Sequence, residues 1–148
     1  MKALLKTLST TTAGLDTLPI RIGAGITFAA HGSQKLFGWF GGYGLEGTAG
    51  WMESIGLAPG ILMAGLAGGA EFFAGLLLIV GLLVRPAALL LAITMVVAII
   101  TVHLENGFFM ATNGFEFALA LLVISATLTV RGAGSFSLDK TFLADSKF

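Results

Sequence analysis

The chain has 148 residues, of which 56% are hydrophobic and 11% charged, and eight Lys and Arg balance eight Asp and Glu. Soluble domains carry roughly 25% charged residues, so this chain lacks the polar side chains to cover its surface in water. The absence of cysteine excludes disulfides, thiol nucleophiles and iron–sulfur clusters, and the lack of a basic tract argues against a nucleic-acid partner. These exclusions leave an integral membrane protein.

Four apolar stretches predict an all-α fold, namely a four-helix bundle integral to the membrane. They cover residues 18–37, 60–84, 86–103 and 115–130. A helix needs roughly 20 apolar residues to cross the hydrocarbon core of a bilayer. The last stretch is shorter than that, and we expect it to span where the bilayer thins locally.

A long outer loop, residues 38–59, is predicted between the first two helices and is rich in glycine and aromatic residues. Trp39, Tyr43 and Trp51 suit the boundary between water and lipid, where one edge of an aromatic ring stays wet. Residues 48–55 predict a short helix lying in that interface. The loop is therefore predicted to lie at the outer membrane surface.

Short connections and small residues predict tight packing around the second helix. Only Arg85, followed by Pro86 at the start of the third stretch, connects the second and third apolar stretches, which predicts an antiparallel hairpin. Gly65 and Gly69 have the small-xxx-small spacing that lets helix backbones approach closely. We interpret this spacing as packing, and the same face is a candidate contact in a homodimer.

The distribution of Lys and Arg predicts the orientation of the bundle. Lys35 stands alone at one end, and seven cations fall at the other: Lys2, Lys6, Arg21, Arg85, Arg131, Lys140 and Lys147. Cytoplasmic loops carry the excess of Lys and Arg, so both termini are predicted to be cytoplasmic.

Three regions follow from the spans and their orientation. Residues 1–17 are expected to be a retained cytoplasmic segment, because they lack both the long apolar core and the cleavage pattern of a signal peptide. Residues 18–131 form the membrane domain, and residues 132–148 form a cytoplasmic C-terminal tail.

Polar side chains inside the spans predict one layer in the outer half of the membrane. Six residues form this layer: His31, Gln34, Lys35, Glu71, His103 and Glu116. At 1.5 Å per residue, the ionisable ones lie roughly 20–26 Å above the cytoplasmic ends of their helices. The cytoplasmic halves of the second and third helices carry no ionisable group, which favours a pocket that opens outward or to lipid over a path through the membrane.

Several kinds of site could use this layer. A structural cluster would fix helix packing, and His31 with His103 could hold a haem. Two histidines and two carboxylates could bind a metal, but the pattern is unspecific and no metal site is predicted. A quinone fits better, because its carbonyls accept hydrogen bonds from His, Gln or Lys and its reduction consumes protons. Arg21 lies closer to the cytoplasm, where lipid phosphate or Asp16 is its expected partner.

The sequence resembles the DoxX family of small four-helix bacterial inner-membrane proteins from Arg21 to about Lys140. The similarity rests on RIGAGITFAAHGSQKLFGWFGGYGLEGT, GGAEFFAGLLLIVGLLVRPAA, HLENGFF, NGFEFALALL and GAGSFSLD. Ala133 departs from it, since proline is expected there. The resemblance implies a membrane partner in electron transfer, because the family is named after a subunit associated with a thiosulfate:quinone oxidoreductase. Carried over from the family's motifs are Arg21, His31, Gly32, Lys35, Glu71, His103 and Glu116.

Together these observations predict a membrane redox-accessory subunit that interacts with quinone. We expect it to be a subunit or accessory of an oxidoreductase and not an enzyme alone. Glu71 and His31 are the candidate proton-handling pair, and Lys35, Gln34 and His103 would orient the headgroup. Its expected partners are the lipid bilayer, a redox protein and a second copy of the chain. The alternative is a component of small-solute transport or membrane-complex assembly without redox chemistry.

Overall fold

The computed structural model describes residues 9–11 and 13–145, so most of the predicted N-terminal segment and the last three residues of the predicted tail lie outside the described residues. Six α-helices are present in the described ranges: α1 Thr17–Phe37, α2 Gly44–Ser54, α3 Gly60–Val80, α4 Val84–Ala98, α5 Glu116–Arg131 and α6 Leu138–Asp145. No strand occurs in those ranges. The predicted all-α class is confirmed.

The four long helices lie close to the predicted apolar stretches and share one core. Its fully buried side chains include Phe28 of α1, Leu78 of α3, Leu91 of α4 and Leu128 of α5. Among the helices that the structure describes, two are long and apolar enough to cross a membrane, namely Gly60–Val80 and the continuous helical stretch Val84–Asn106. Crossing by all four helices stays a prediction.

The predicted interfacial helix is longer than expected, because α2 begins four residues earlier, at Gly44. Its buried residues, Thr48, Ala49 and Met52, share one face and pack toward α1 and α3. Trp51 and Tyr43 stay exposed. The helix therefore covers the end of the α1–α3 pair.

Glycines set the close approach of α1 to α3. A Cβ atom at Gly75 would lie 2.6 Å from the backbone nitrogen of Ala29, and one at Gly32 would lie 2.7 Å from the carbonyl oxygen of Gly68. Gly65 and Gly69 have no atom within 4 Å of such a Cβ. The close approach expected at Gly65 and Gly69 is therefore wrong within the described chain, because their side of α3 faces away from α1.

The turn between α3 and α4 differs from the prediction. α3 ends at Val80, and Gly81 adopts a positive φ of 72° that terminates the helix. Arg85, predicted to be the connection, already belongs to the first turn of α4, as does Pro86. Proline is tolerated there because the first backbone N–H groups of a helix have no partner within it.

The chain after α5 folds back onto the ends of α3 and α4. Asp139 is 1% exposed, and its carboxylate accepts the backbone N–H groups of Leu83 at 2.8 Å and Val84 at 3.0 Å. The start of a helix carries partial positive charge and unpaired N–H groups. Asp139 therefore caps α4 and ties the predicted tail region to the bundle.

Arg21 connects the end of α3 to the segment after α5. The expectation that it pairs with lipid phosphate or Asp16 is therefore wrong. The side chain is 1% exposed, and its guanidinium donates to four backbone carbonyls, those of Leu78, Ile79, Ala133 and Phe136. The last carbonyls of a helix lack partners within it, so the end of α3 attracts the guanidinium. Asp16 pairs with Arg131 instead.

Removing the Asp139 carboxylate is expected to loosen this junction. We expect Asp139→Ala to lower the free energy of unfolding by about 1–2 kcal/mol, because two N–H groups at the start of α4 lose their acceptor. Thermal unfolding in detergent, followed by circular dichroism, measures the change. The control is Glu46→Ala, an exposed carboxylate of α2. Equal effects of the two substitutions would contradict the capping role.

Candidate functional site

An ion pair between α1 and α3 lies at the centre of the predicted polar layer. Lys35 Nζ is 2.6 Å from Glu71 Oε2, and the Glu71 side chain is only 6% exposed. Gly32 and Gly68 precede these residues by three positions, almost one helical turn, and bring the two backbones together at this level. The close packing therefore supplies the partner that an intramembrane carboxylate needs.

A cavity of about 870 Å³ lies beside the ion pair and is lined by all four long helices and by α2. It brings together five of the six predicted site residues: His31, Gln34, Lys35, Glu71 and His103. Glu116 is not among the lining residues. Its Oε1 accepts the backbone N–H of Met110 at 2.7 Å, so this carboxylate holds the loop before α5.

His31 lines the cavity between α1 and α5. Its ring centroid is 6.2 Å from that of Phe117, with the planes tilted by 51°. Lys35 and Glu71 both lie within electrostatic reach of the imidazole. In the described part of the chain Glu71 bonds to Lys35 and not to His31, so the proton-handling pair of Glu71 and His31 stays a prediction.

His103 reaches the cavity through a local widening of the helix. Ile99–His103 form a π-helical turn after α4, and turns of this kind are frequent at functional sites. The His103 Nδ1 atom is 2.8 Å from the carbonyl oxygen of Asn113. A carbonyl only accepts, so Nδ1 carries the hydrogen and Nε2 of the neutral ring keeps a lone pair.

Sequence reasoning missed the threonines of the cavity wall. Thr48, Thr94 and Thr101 line it, and the last two are seven residues apart on one face of the helical stretch that begins with α4. The polar layer was predicted mainly from ionisable side chains, and a threonine hydroxyl is not ionisable. The spacing of Thr94 and Thr101 within an apolar stretch was the available signal.

A smaller cavity of about 500 Å³ lies at the other end of α3. It is lined by Val80 and by residues of the returning C-terminal segment, among them Phe136 and Lys140. None of the six predicted site residues lines it. The candidate site is therefore the larger cavity.

Among known protein families, the family model of DoxX matches residues 17–104 of the chain. The chain belongs to the DoxX family. The matched region holds Arg21, His31, Lys35, Glu71 and His103 and ends before Glu116. The resemblance seen in the sequence is therefore confirmed.

Two curated relatives cover most of this DoxX chain. A Bacillus subtilis protein named "Putative oxidoreductase CatD" is 35% identical over 125 residues, which cover 84% of this chain and 85% of the relative. An uncharacterized membrane protein of Mycobacterium tuberculosis is 33% identical over 131 residues, covering 82% of this chain and 77% of the relative. No solved structure matches the chain significantly.

This DoxX protein is located in a membrane. Family membership and two long apolar helices indicate it, and the outer surface agrees. Large apolar side chains on several helices are more than half exposed, including Leu66, Phe73, Ile100 and Val130. So many exposed large apolar side chains suit a surrounding of lipid better than one of water.

Proposed function

We propose that this DoxX protein crosses the bacterial inner membrane four times, through α1, α3, α4 with its continuation, and α5. Both termini then lie in the cytoplasm. The support is the charge distribution of the sequence, since Lys35 is the one Lys or Arg at the predicted outer ends of the spans and the other seven flank the predicted cytoplasmic ends. Tyr43 and Trp51, both exposed, suit the outer interface.

The protein acts as a redox-accessory subunit, and its cavity binds the headgroup of a quinone. The observation that carries this proposal is the cavity of about 870 Å³ beside the Lys35–Glu71 ion pair. Small-molecule sites have volumes of about 300–1,000 Å³ and combine apolar walls with a few polar groups. The two charges cancel, so the site favours an uncharged ligand with hydrogen-bonding oxygens over a free anion.

Lys35 would bind the quinone headgroup, and His31 and Glu71 would handle its protons. Two N–H groups of the Lys35 ammonium remain for a ligand oxygen, because the third bonds to Glu71. His31 and Glu71 hold and pass protons at the cavity wall, and a bound quinone would supply a two-electron, two-proton couple. The name of the Bacillus subtilis relative supports a redox setting.

Binding of a quinone without an isoprenoid tail to the purified full chain tests the proposal. The probe is tetramethyl-1,4-benzoquinone, and quenching of tryptophan fluorescence reports binding because Trp51, one of the two tryptophans, lines the cavity. We expect Glu71→Gln to weaken binding by about tenfold or more, because the uncharged amide no longer holds the Lys35 ammonium beside the cavity. A hydrogen bond from that charged group to a quinone oxygen contributes about 1.5–3 kcal/mol. His31→Phe is expected to weaken binding as well.

The matched control is Glu46→Gln, which removes the same charge from the exposed side of α2 and should leave the affinity unchanged. Circular dichroism establishes that each variant is folded. Quinone binding that is equal in the parent and in folded Glu71→Gln and His31→Phe proteins would overturn the proposal. Transport of a small solute or assembly of a membrane complex would then be the better function.

A further inference from the structure

The larger cavity is closed toward the turn between α3 and α4 and on the side between α1 and α5. Three buried side chains form its floor: Phe28, Met95 and Leu121. Between α1 and α5 the ring centroids of His31 and Phe117 are 6.2 Å apart, a distance at which aromatic rings contact each other. A ligand therefore reaches the cavity from another side.

Between α3 and α4 the cavity wall has smaller side chains. Ala67, Val97 and Thr101 line the cavity there. Ala67 precedes the end of α3 at Val80 by as many residues as Val97 follows the start of α4 at Val84. At 1.5 Å per residue, both lie roughly 20 Å above the turn. Ala67 and Val97 therefore mark the two edges of the gap between the helices at one level.

This gap reaches the lipid-facing surface of the bundle. Val97 lines the cavity and is 48% exposed. Leu90, two helical turns earlier on the same face of α4, is 45% exposed and is not a lining residue, so this face belongs to the outside of the bundle. α3 and the stretch that begins with α4 are the two described helices long and apolar enough to cross a membrane. The gap bordered by Ala67, Val97 and Thr101, the α3–α4 opening, therefore faces lipid.

The outer end of the cavity has a different character. Tyr43 and Asn113 line it there, and both are exposed, so this end leads to water. A long hydrocarbon chain in water keeps its apolar surface hydrated, which is unfavourable. A ligand with such a chain can therefore place its polar end in the cavity only if the chain leaves through the α3–α4 opening.

We propose, on the basis of the quinone site described above, that the ligand is a membrane quinone whose long isoprenoid tail leaves the cavity through the α3–α4 opening. The headgroup lies beside Lys35 and Glu71, and the tail passes between Ala67 and Val97 into the bilayer. The same opening is the route of entry, because a tailed quinone stays dissolved in the lipid until it binds. The site thus takes its ligand from the membrane and not from water.

Two quinones that share one headgroup test this route on the full chain in lipid nanodiscs. The probes are 2,3-dimethoxy-5-methyl-1,4-benzoquinone and the same ring with a long isoprenoid tail, and quenching of tryptophan fluorescence measures each affinity. The double variant Val97→Phe, Thr101→Phe adds two rings to the opening. We expect it to weaken binding of the tailed quinone by about tenfold or more and of the tailless quinone by no more than about twofold, since the tailless ring fits inside the cavity.

The matched control is Ile93→Phe, Ile100→Phe, which adds two rings to neighbouring positions of the same helical stretch. These positions are 54% and 62% exposed and do not line the cavity, so both affinities should equal those of the parent. All variants keep both tryptophans, and quenching by unbound quinone in the bilayer is therefore the same in each. Circular dichroism establishes that each variant is folded. Val97→Phe alone, at a half-exposed position, should weaken tailed-quinone binding in the same direction and replaces a double variant that does not fold.

The outcomes separate this inference from the proposal it rests on. Undiminished binding of the tailed quinone by the folded opening variants would overturn the route and leave the quinone site standing. Equal weakening of both quinones would also overturn the route, since the added rings would then act on the headgroup. A parent protein that binds only the tailless quinone would do the same. Failure of both probes to bind the parent would overturn both proposals.

Discussion

We expect Lys35→Met to lower the free energy of unfolding by about 3 kcal/mol, because removal of one partner from a buried ion pair leaves the other charge uncompensated. The carboxylate left behind, Glu71, is only 6% exposed. Glu71→Gln should lower the free energy of unfolding less, by about 1 kcal/mol, because the charge that it leaves unpaired is that of Lys35. Lys35 is 25% exposed, and its long stem can carry the ammonium toward water.

Thermal unfolding in detergent of both single variants and of the double variant Lys35→Met, Glu71→Leu measures this asymmetry. The double variant should recover most of the lost stability, since an apolar pair of similar volume often replaces a buried ion pair without loss. Lys140→Met, which removes an exposed lysine, is the control and should stay within about 0.5 kcal/mol of the parent. A larger effect of Glu71→Gln than of Lys35→Met would contradict the argument from burial.

Depth arithmetic on the sequence identified most of the polar cluster. Lys35, Glu71 and His103 lie on three different helices, and counting residues from the helix ends placed them at one level. Apolar length fixes where a spanning helix can begin and end, so depth follows from the sequence. The structure brings these residues to one cavity. Glu116 has a similar depth but is turned to the loop, and depth alone does not give the direction of a side chain.

Partners far apart in the sequence could not be predicted in the same way. Arg21 bonds to the carbonyl of Ala133, 112 residues later, and Asp139 to the N–H of Val84, 55 residues earlier. These contacts depend on the path of the chain after α5, which has no apolar pattern to indicate it. The π-helical turn before Leu104 changes the direction of His103, and periodicity does not show such a local widening.

The sequence predicted close packing of glycines in α3 but assigned it to the wrong side of the helix. α3 carries glycines at several neighbouring positions, and the sequence offers Gly65 and Gly69 as readily as Gly68. Which of them meets α1 depends on the rotation of α3 about its axis. Burial of Glu71 against Lys35 fixes that rotation, since Gly68 and Gly75 lie about one turn to either side of Glu71 on the same face.

Substitution of the buried glycines is expected to have the largest effect on folding. At Gly32 an added methyl group would meet the backbone of Phe72 and Gly68, and at Gly75 it would lie 2.6 Å from the nitrogen of Ala29. Backbone atoms cannot rotate aside as a flexible side chain does, so the helices must separate. We expect Gly32→Ala or Gly75→Ala to lower the free energy of unfolding by about 3 kcal/mol or more.

Gly65→Ala and Gly69→Ala are the matched controls, since they add the same methyl group to the open side of α3. They should leave stability unchanged or raise it by up to about 1 kcal/mol, because alanine favours a helix more than glycine does. Monodispersity in detergent and thermal unfolding distinguish the two sets. Separation of α1 from α3 would also pull Lys35 from Glu71, so partly folded Gly32→Ala protein should lose quinone binding. Equal stability of the buried and open sets would contradict the close packing that positions the site.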